Sequence, residues 1–155
     1  MNKLYTEIII DCPVEKFLRR RFIIDEIPQS LIIVSPIICT LKRTRYTIPY
    51  LVEKITKERI RTYVITRKPE ENFHKEAVDI LAQSDFIEIR YNNSLHANLY
   101  ICAYLNEWNS FALLGSANLT KHSIEKNIEV GVIIYSRNEG KNLRYELYRG
   151  GELKD

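Results

Sequence analysis

The pattern of hydrophobic and polar positions predicts strands and helices in alternation. Residues 31–39 are continuously apolar and largely β-branched, which is typical of a buried strand. The same or an alternating pattern marks further strands at residues 60–66, 86–91, 99–104, 110–114 and 129–136. Helical spacing of apolar positions predicts helices at 48–55, from Pro69 onward, at 119–126 and at 138–148.

The resulting order is β-α-β-α-β-β-β-α-β-α. Strands this apolar need cover on both sides of the sheet, so the pattern predicts one α/β domain over residues 1–155, with a mixed sheet and helices on both faces. Residues 1–30 form an N-terminal extension of that domain, with an edge strand at 6–10 and a short helix at 14–22. The run Arg19, Arg20, Arg21 predicts a solvated helix face, with contact to DNA as the alternative.

The composition is that of a globular protein, with 45% apolar and 28% charged residues. No apolar run approaches the roughly 20 residues of a membrane span, and Asp11 interrupts the N-terminal one, so we expect a cytoplasmic protein without a secretory signal. The net charge of +3 permits a nucleic-acid partner without requiring one. The chain has 3 cysteines, without the pairing of a disulfide framework or a zinc site.

Polar residues mark the ends of two strands that should form a hairpin. His96 precedes one strand, and Ser116 and Asn118 follow the next. An antiparallel hairpin brings these ends together, and Gly115 allows a sharp turn there. Hydroxyl, amide and backbone N–H donors in that arrangement suit a phosphate. The alternatives are a structural histidine and ordinary helix capping by Ser116 or Asn118.

Glu129 opens the next strand at the same predicted edge. A carboxylate that accepts the Nδ1 proton of His96 would leave Nε2 as a nucleophile. The alternative is an ordinary surface glutamate.

The segments LHANLYI, ALLGSANLT and NIEVGVII, within residues 94–134, resemble the phospholipase D superfamily, and most closely its small single-motif nucleases. The family pattern is H-x-K, a strand and hairpin, G-S-x-N, and a glutamate on the following strand. The resemblance implies that a histidine attacks a phosphodiester to form a phosphohistidine, without a metal or other cofactor. It assigns His96 as nucleophile or acid, Asn98, Ser116 and Asn118 as phosphate ligands, and Glu129 as the group that orients His96.

That mechanism uses two histidines, whereas this chain has one motif. His74 and His122 lack the motif around them. A two-fold homodimer would bring two copies of His96 together, with the site at the interface.

Two positions depart from the family pattern. Ala103 stands at the aspartate position of the family, which many distant members lack, and Asn98 stands where the family has lysine. Loss of such a charge against a developing anion commonly costs roughly 10²–10³ in rate. Asn98 is thus interpreted as an engineered inactivating change, as a natural loss of activity, or as a change compensated by Arg43, Arg45 or Lys121.

Basic residues Lys42, Arg43 and Arg45 follow the first strand of the predicted sheet, next to Tyr46. With Lys121 they are candidates to bind a nucleic-acid backbone, DNA rather than RNA, by charge and stacking. The alternative is a solvated loop. The sequence therefore predicts a metal-independent phosphodiesterase or endonuclease subunit, impaired by Asn98. The alternatives are a non-catalytic dimeric nucleic-acid-binding module and, more weakly supported, a lipid phosphodiesterase.

Overall fold

The computed structural model describes residues 4–135 and contains one sheet of seven strands. The strands are β1 (Tyr5–Ile10), β2 (Ser30–Val34), β3 (Arg61–Thr66), β4 (Ile87–Tyr91), β5 (Asn98–Ala103), β6 (Phe111–Gly115) and β7 (Val130–Tyr135). The helices are α1 (Pro13–Ile23), α2 (Ile48–Glu58), α3 (Asn72–Leu81) and α4 (Lys121–Glu125). The predicted α/β class is confirmed, and so is the predicted element order through β7. The helix predicted at 138–148 lies outside the described residues.

The sheet is mixed and has the order β1-β7-β6-β5-β2-β3-β4. Strands β2, β3 and β4 are parallel and are joined through α2 and α3, whereas β5, β6, β7 and β1 pair in antiparallel fashion. Strand β5 runs antiparallel to β2 and so joins the two halves. The predicted edge strand at the N terminus and the predicted hairpin of β5 and β6 are both confirmed.

One face of the sheet carries the core. Two successive crossovers of the same hand place α2 and α3 on the same side, and α1 packs there too. Phe17 of α1 lies with its ring centroid 5.6 Å from that of Tyr100 and 5.1 Å from that of Phe111. Helices α1, α2 and α3 therefore cover the same face of the sheet.

The opposite face exposes a small apolar patch at the end of the sheet that carries β1, β6 and β7. Ile8, Ile10, Leu114 and Val130 are 71%, 66%, 42% and 51% exposed. Ile10 pairs with Val130 in the register, so these side chains are neighbours. None of the helices in the described part of the chain is long and apolar enough to cross a membrane.

The prediction of a solvated arginine face on α1 is wrong for two of its three residues. Arg20 and Arg21 are only 4% and 5% exposed. Arg20 lies over the ring of Phe111 at 4.8 Å, and Arg21 forms an ion pair with Glu58 of α2. Consecutive helical residues are about 100° apart, so three in a row cannot share one face. Burial against aromatic rings and a carboxylate makes these arginines part of the packing.

The strand predicted at 31–39 ends earlier, at Val34. Pro36 has no N–H for the ladder, and the Ser35 hydroxyl donates to the Ile37 carbonyl at 2.7 Å. The Ser35 hydroxyl also accepts the Leu119 N–H at 2.9 Å, and Ile38 forms an isolated bridge with Leu119. The remaining apolar run therefore fixes the chain that follows β6, beside the candidate site.

Candidate active site

The ends of five strands lie along one border of the sheet, and the candidate site lies at this edge. The amino ends of β5 and β7 come to the same edge as the carboxyl ends of β2, β3 and β6, because Asn98 pairs with Gly115 and Gly115 pairs with Gly131. His96 lies two residues before β5, and Ser116 directly follows β6. The hairpin therefore places these residues at a common edge, as its antiparallel pairing requires.

Position 115 requires glycine, because the backbone of β7 approaches the backbone of β6 closely there. A Cβ at this position would meet the Val130 carbonyl oxygen and would lie 2.8 Å from the Cα of Gly131. Any side chain at position 115 would therefore push β6 and β7 apart next to Ser116.

Glu129 is the centre of a buried hydrogen-bond network. Its side chain is 9% exposed. One carboxylate oxygen accepts from the Ser116 hydroxyl, and the other accepts from the Ser123 hydroxyl at 3.0 Å and from the Asn127 amide at 3.2 Å. A carboxylate with three donors is well compensated for its burial. Glu129 thus holds the start of α4 and the end of β6 together, and its expected role in orienting His96 stays a prediction.

Asn98 ties the start of β5 to the chain after β6. It is 9% exposed, and its Nδ2 donates to the Ser116 carbonyl at 3.1 Å. The Tyr100 hydroxyl donates to the next carbonyl, that of Ala117, at 2.8 Å, and burial raises the pKa of this phenol far above its usual value. Both side chains therefore shape the loop that carries Ser116 and Asn118.

Two amide oxygens in this region have no hydrogen-bond partner among residues 4–135. They are Oδ1 of Asn98 and Oδ1 of Asn118, both shielded from solvent. Buried acceptors without partners are uncommon in folded proteins. Hydrogen bonds link Asn98 to Ser116 and Ser116 to Glu129, and Asn118 follows two residues after Ser116.

His96 is exposed and contacts a residue that the sequence analysis did not single out. Its Nδ1 lies 2.9 Å from Nη2 of Arg67, whose Nε donates to the Leu95 carbonyl at 2.7 Å. Arg67 directly follows Thr66, the last residue of β3. Ligands tend to bind at the carboxyl ends of parallel strands, and this rule could have identified Arg67 from the sequence.

The predicted nucleic-acid-binding residues lie on the surface beside this edge. Lys42 forms an ion pair with Glu76 at 2.7 Å, and Arg45 lies over the ring of Tyr46 at 5.6 Å. Arg43 is exposed, with a positive φ of 65°.

Lys121 begins α4, where its N–H contacts Cys39 Sγ at 3.1 Å and its side chain lies 3.6 Å from Glu125. The contact with Cys39 places α4 at the base of the basic loop.

The other two histidines have different surroundings. His122 is exposed on α4. His74 of α3 is buried, and its Nε2 lies 2.9 Å from the Thr66 hydroxyl. Burial lowers the pKa of His74 because the charged imidazolium is poorly solvated there. Its surroundings are those of a core histidine.

His74 should make stability sensitive to mild acid. Its pKa is lowered in the folded protein from an ordinary value of 6.5, so the unfolded chain binds more protons below that pH. We expect the free energy of unfolding to fall as the pH drops below this value, and His74→Gln to flatten that part of the curve. Urea unfolding across this range measures the effect, and an equal slope in both proteins would contradict it.

The described residues contain no cluster of three or more His, Cys, Asp or Glu side chains able to hold a metal ion. The 3 cysteines are free, and burial raises the pKa of Cys102 to about 11. Cys102 therefore behaves as a small buried apolar residue.

Sequence comparison decides the family. The family described as cardiolipin synthase, PLD-like domain, matches residues 24–149. The chain belongs to the phospholipase D superfamily. Comparison with curated proteins gave no match.

Several solved structures share the fold. The phospholipase D family member Nuc from Salmonella typhimurium superposes with a TM-score of 0.64 at 16% identity, over 96% of this chain and 93% of that one. NucT from Helicobacter pylori gives 0.61 at 14% identity, over 97% and 96%. A mutant of yeast tyrosyl-DNA phosphodiesterase gives 0.56 at 13% identity, over 87% of this chain and 48% of that one. At these identities the likeness concerns the fold.

Proposed function

We propose that this protein is a metal-independent phosphodiesterase subunit that cleaves nucleic acid, DNA in preference to RNA. The observation that carries the proposal is the pairing of Asn98 with Gly115 in a phospholipase D fold, which sets the start of β5, two residues after the exposed His96, beside Ser116. The likeness to tyrosyl-DNA phosphodiesterase supports a phosphodiester substrate. Exposed Arg43 and Arg45, beside the same edge, suit a polyanionic backbone.

The proposed reaction has two displacements. Nε2 of His96 attacks phosphorus through its lone pair, the bond to the leaving oxygen breaks, and a second histidine gives that oxygen a proton. Water then attacks phosphorus, the P–N bond breaks, and the second histidine takes a proton from the water. The product is a free phosphomonoester end with both histidines restored.

The second histidine is proposed to come from a second copy of the chain. A two-fold dimer brings identical copies of His96 together across its axis. The exposed apolar patch supports such an interface, because it lies at the end of the sheet that also carries Ser116 and Glu129. The patch consists of Ile8, Ile10, Leu114 and Val130. An exposed apolar cluster beside an incomplete site is a natural place for self-association.

Asn98 is proposed to impair catalysis. Its amide is held by the Ser116 carbonyl and carries no charge, so it offers a phosphate less than an ammonium group would. We expect Asn98→Lys to raise the cleavage rate roughly 10²–10³-fold. The measurement is cleavage of labelled single-stranded and duplex DNA, and of RNA, in excess chelator.

Asn98→Met is the matched control, because methionine has nearly the length of lysine without its charge. If the methionine variant cleaves as fast as the lysine variant, charge is not the cause. If the lysine variant binds DNA and never cleaves it, the second candidate function holds. That candidate is a non-catalytic dimeric nucleic-acid-binding module, favoured by the loss of charge at Asn98 itself.

A further inference from the structure

Arg67 is fixed beside His96 by two contacts. Its Nε donates to the Leu95 carbonyl at 2.7 Å, and its Nη2 lies 2.9 Å from Nδ1 of His96. Its backbone N–H also donates to the Pro36 carbonyl at 3.3 Å. The side chain is half-buried, so little of its conformational freedom remains to be lost when an anion binds.

Three of the other candidate cations have partners elsewhere. Lys121 lies 3.6 Å from Glu125, Lys42 pairs with Glu76, and Arg45 lies over Tyr46. Arg67 is different, because no carboxylate in the described part of the chain forms an ion pair with it and its guanidinium touches His96. It is the cation that the described structure places directly against the proposed nucleophile.

We propose that Arg67 is a phosphate-binding residue of this site. The proposal rests on the proposed function, since it takes the anion at His96 to be a phosphate group. A guanidinium presents planar paired donors that match two phosphate oxygens, and it keeps its charge at any physiological pH. Arg67 thereby sustains phosphate binding where Asn98 contributes only a dipole.

The same contact sets the proton position on His96. A guanidinium only donates hydrogen bonds, so Nδ1 accepts from Arg67 and the neutral imidazole carries its proton on Nε2. Attack through Nε2 needs the other tautomer, with the proton on Nδ1, so the attacking copy of His96 must release Arg67.

The test is a calorimetric titration of the full chain with inorganic phosphate, which measures the dissociation constant. We expect Arg67→Gln to weaken phosphate binding about 10- to 100-fold, as loss of a charge-assisted hydrogen bond does. Lys68→Gln is the matched control, because Lys68 is exposed, adjacent and equally charged. We expect less than about a twofold change for it, since an exposed cation contributes little. Equal losses in the two variants, or none in Arg67→Gln, would overturn the proposal.

Nitrogen NMR of the imidazole provides a second readout that does not depend on cleavage. At about pH 8, where an ordinary histidine is neutral, we expect an unprotonated Nδ1 and a protonated Nε2 in the parent, and a mixture of tautomers in Arg67→Gln. The same tautomer mixture in both proteins contradicts the contact. If phosphate binding depends on Arg67 and Asn98→Lys never cleaves, the proposed function fails while this inference stands.

Discussion

We expect His96→Ala to lower the cleavage rate of the Asn98→Lys protein by at least about 10³-fold, because the attacking group and its covalent intermediate are both lost. His96 is exposed at the strand edge, so its removal leaves the core intact and the effect belongs to the chemistry. Single-turnover cleavage of labelled DNA in excess chelator measures it. A rate within about tenfold of the parent would contradict the assignment.

His122→Ala is the matched control for that experiment. His122 is also exposed, and it lies on α4. We expect its rate to equal that of the parent, since the proposed reaction does not use it. A comparable loss in both variants would show that any histidine near this edge matters equally.

The same variant also tests the shared site. When equal amounts of parent and His96→Ala chains are unfolded together and refolded, a random assortment gives about one quarter parent dimers. If each site needs both histidines, activity falls to that quarter. If each chain has a complete site, half of the activity remains. If the protein sediments only as a monomer at high concentration, the shared site is also excluded.

Replacing Glu129 should have a large effect on stability. Glu129→Ala leaves the Ser116 and Ser123 hydroxyls and the Asn127 amide without their acceptor. Hydrogen bonds to a charged group contribute about 1.5–3 kcal/mol each and are not additive, so we expect the free energy of unfolding to fall by about 3 kcal/mol. Urea unfolding followed by circular dichroism measures it.

Glu125→Ala provides the control for a generic loss of charge. Glu125 is exposed on α4 and only approaches Lys121 at 3.6 Å, so we expect a change within about 0.5 kcal/mol. If Glu129→Ala is as stable as the parent and loses only activity, Glu129 acts on His96 alone and the buried network carries little energy.

The sheet could be predicted because its signals are local. Alternating or continuous apolar residues give each strand from β2 onward, and the short polar turn between β5 and β6 gives their antiparallel pairing. That pairing by itself predicts that His96 lies near Ser116. The end of β2 at Val34 was missed, because the apolar run continues past Pro36 while its backbone leaves the ladder.

The side-chain partners could not be predicted from the sequence. Arg67 meets His96 across 29 residues, and Arg21 meets Glu58 across 37. Such contacts depend on which strand ends and helices become neighbours, and an arginine run alone indicates a solvated surface. The network around Glu129 has the same origin, because the Ser123 hydroxyl reaches Glu129 only once α4 and the turn after it have formed.

The most direct measurement is to trap the intermediate. The Asn98→Lys protein is mixed with DNA labelled on the scissile phosphate, quenched in alkali to preserve a phosphoramidate, and digested for mass spectrometry. We expect the label on the peptide that contains His96. Label on a different residue, or rapid cleavage with no labelled peptide at any time, would contradict the assignment of His96 as the attacking group.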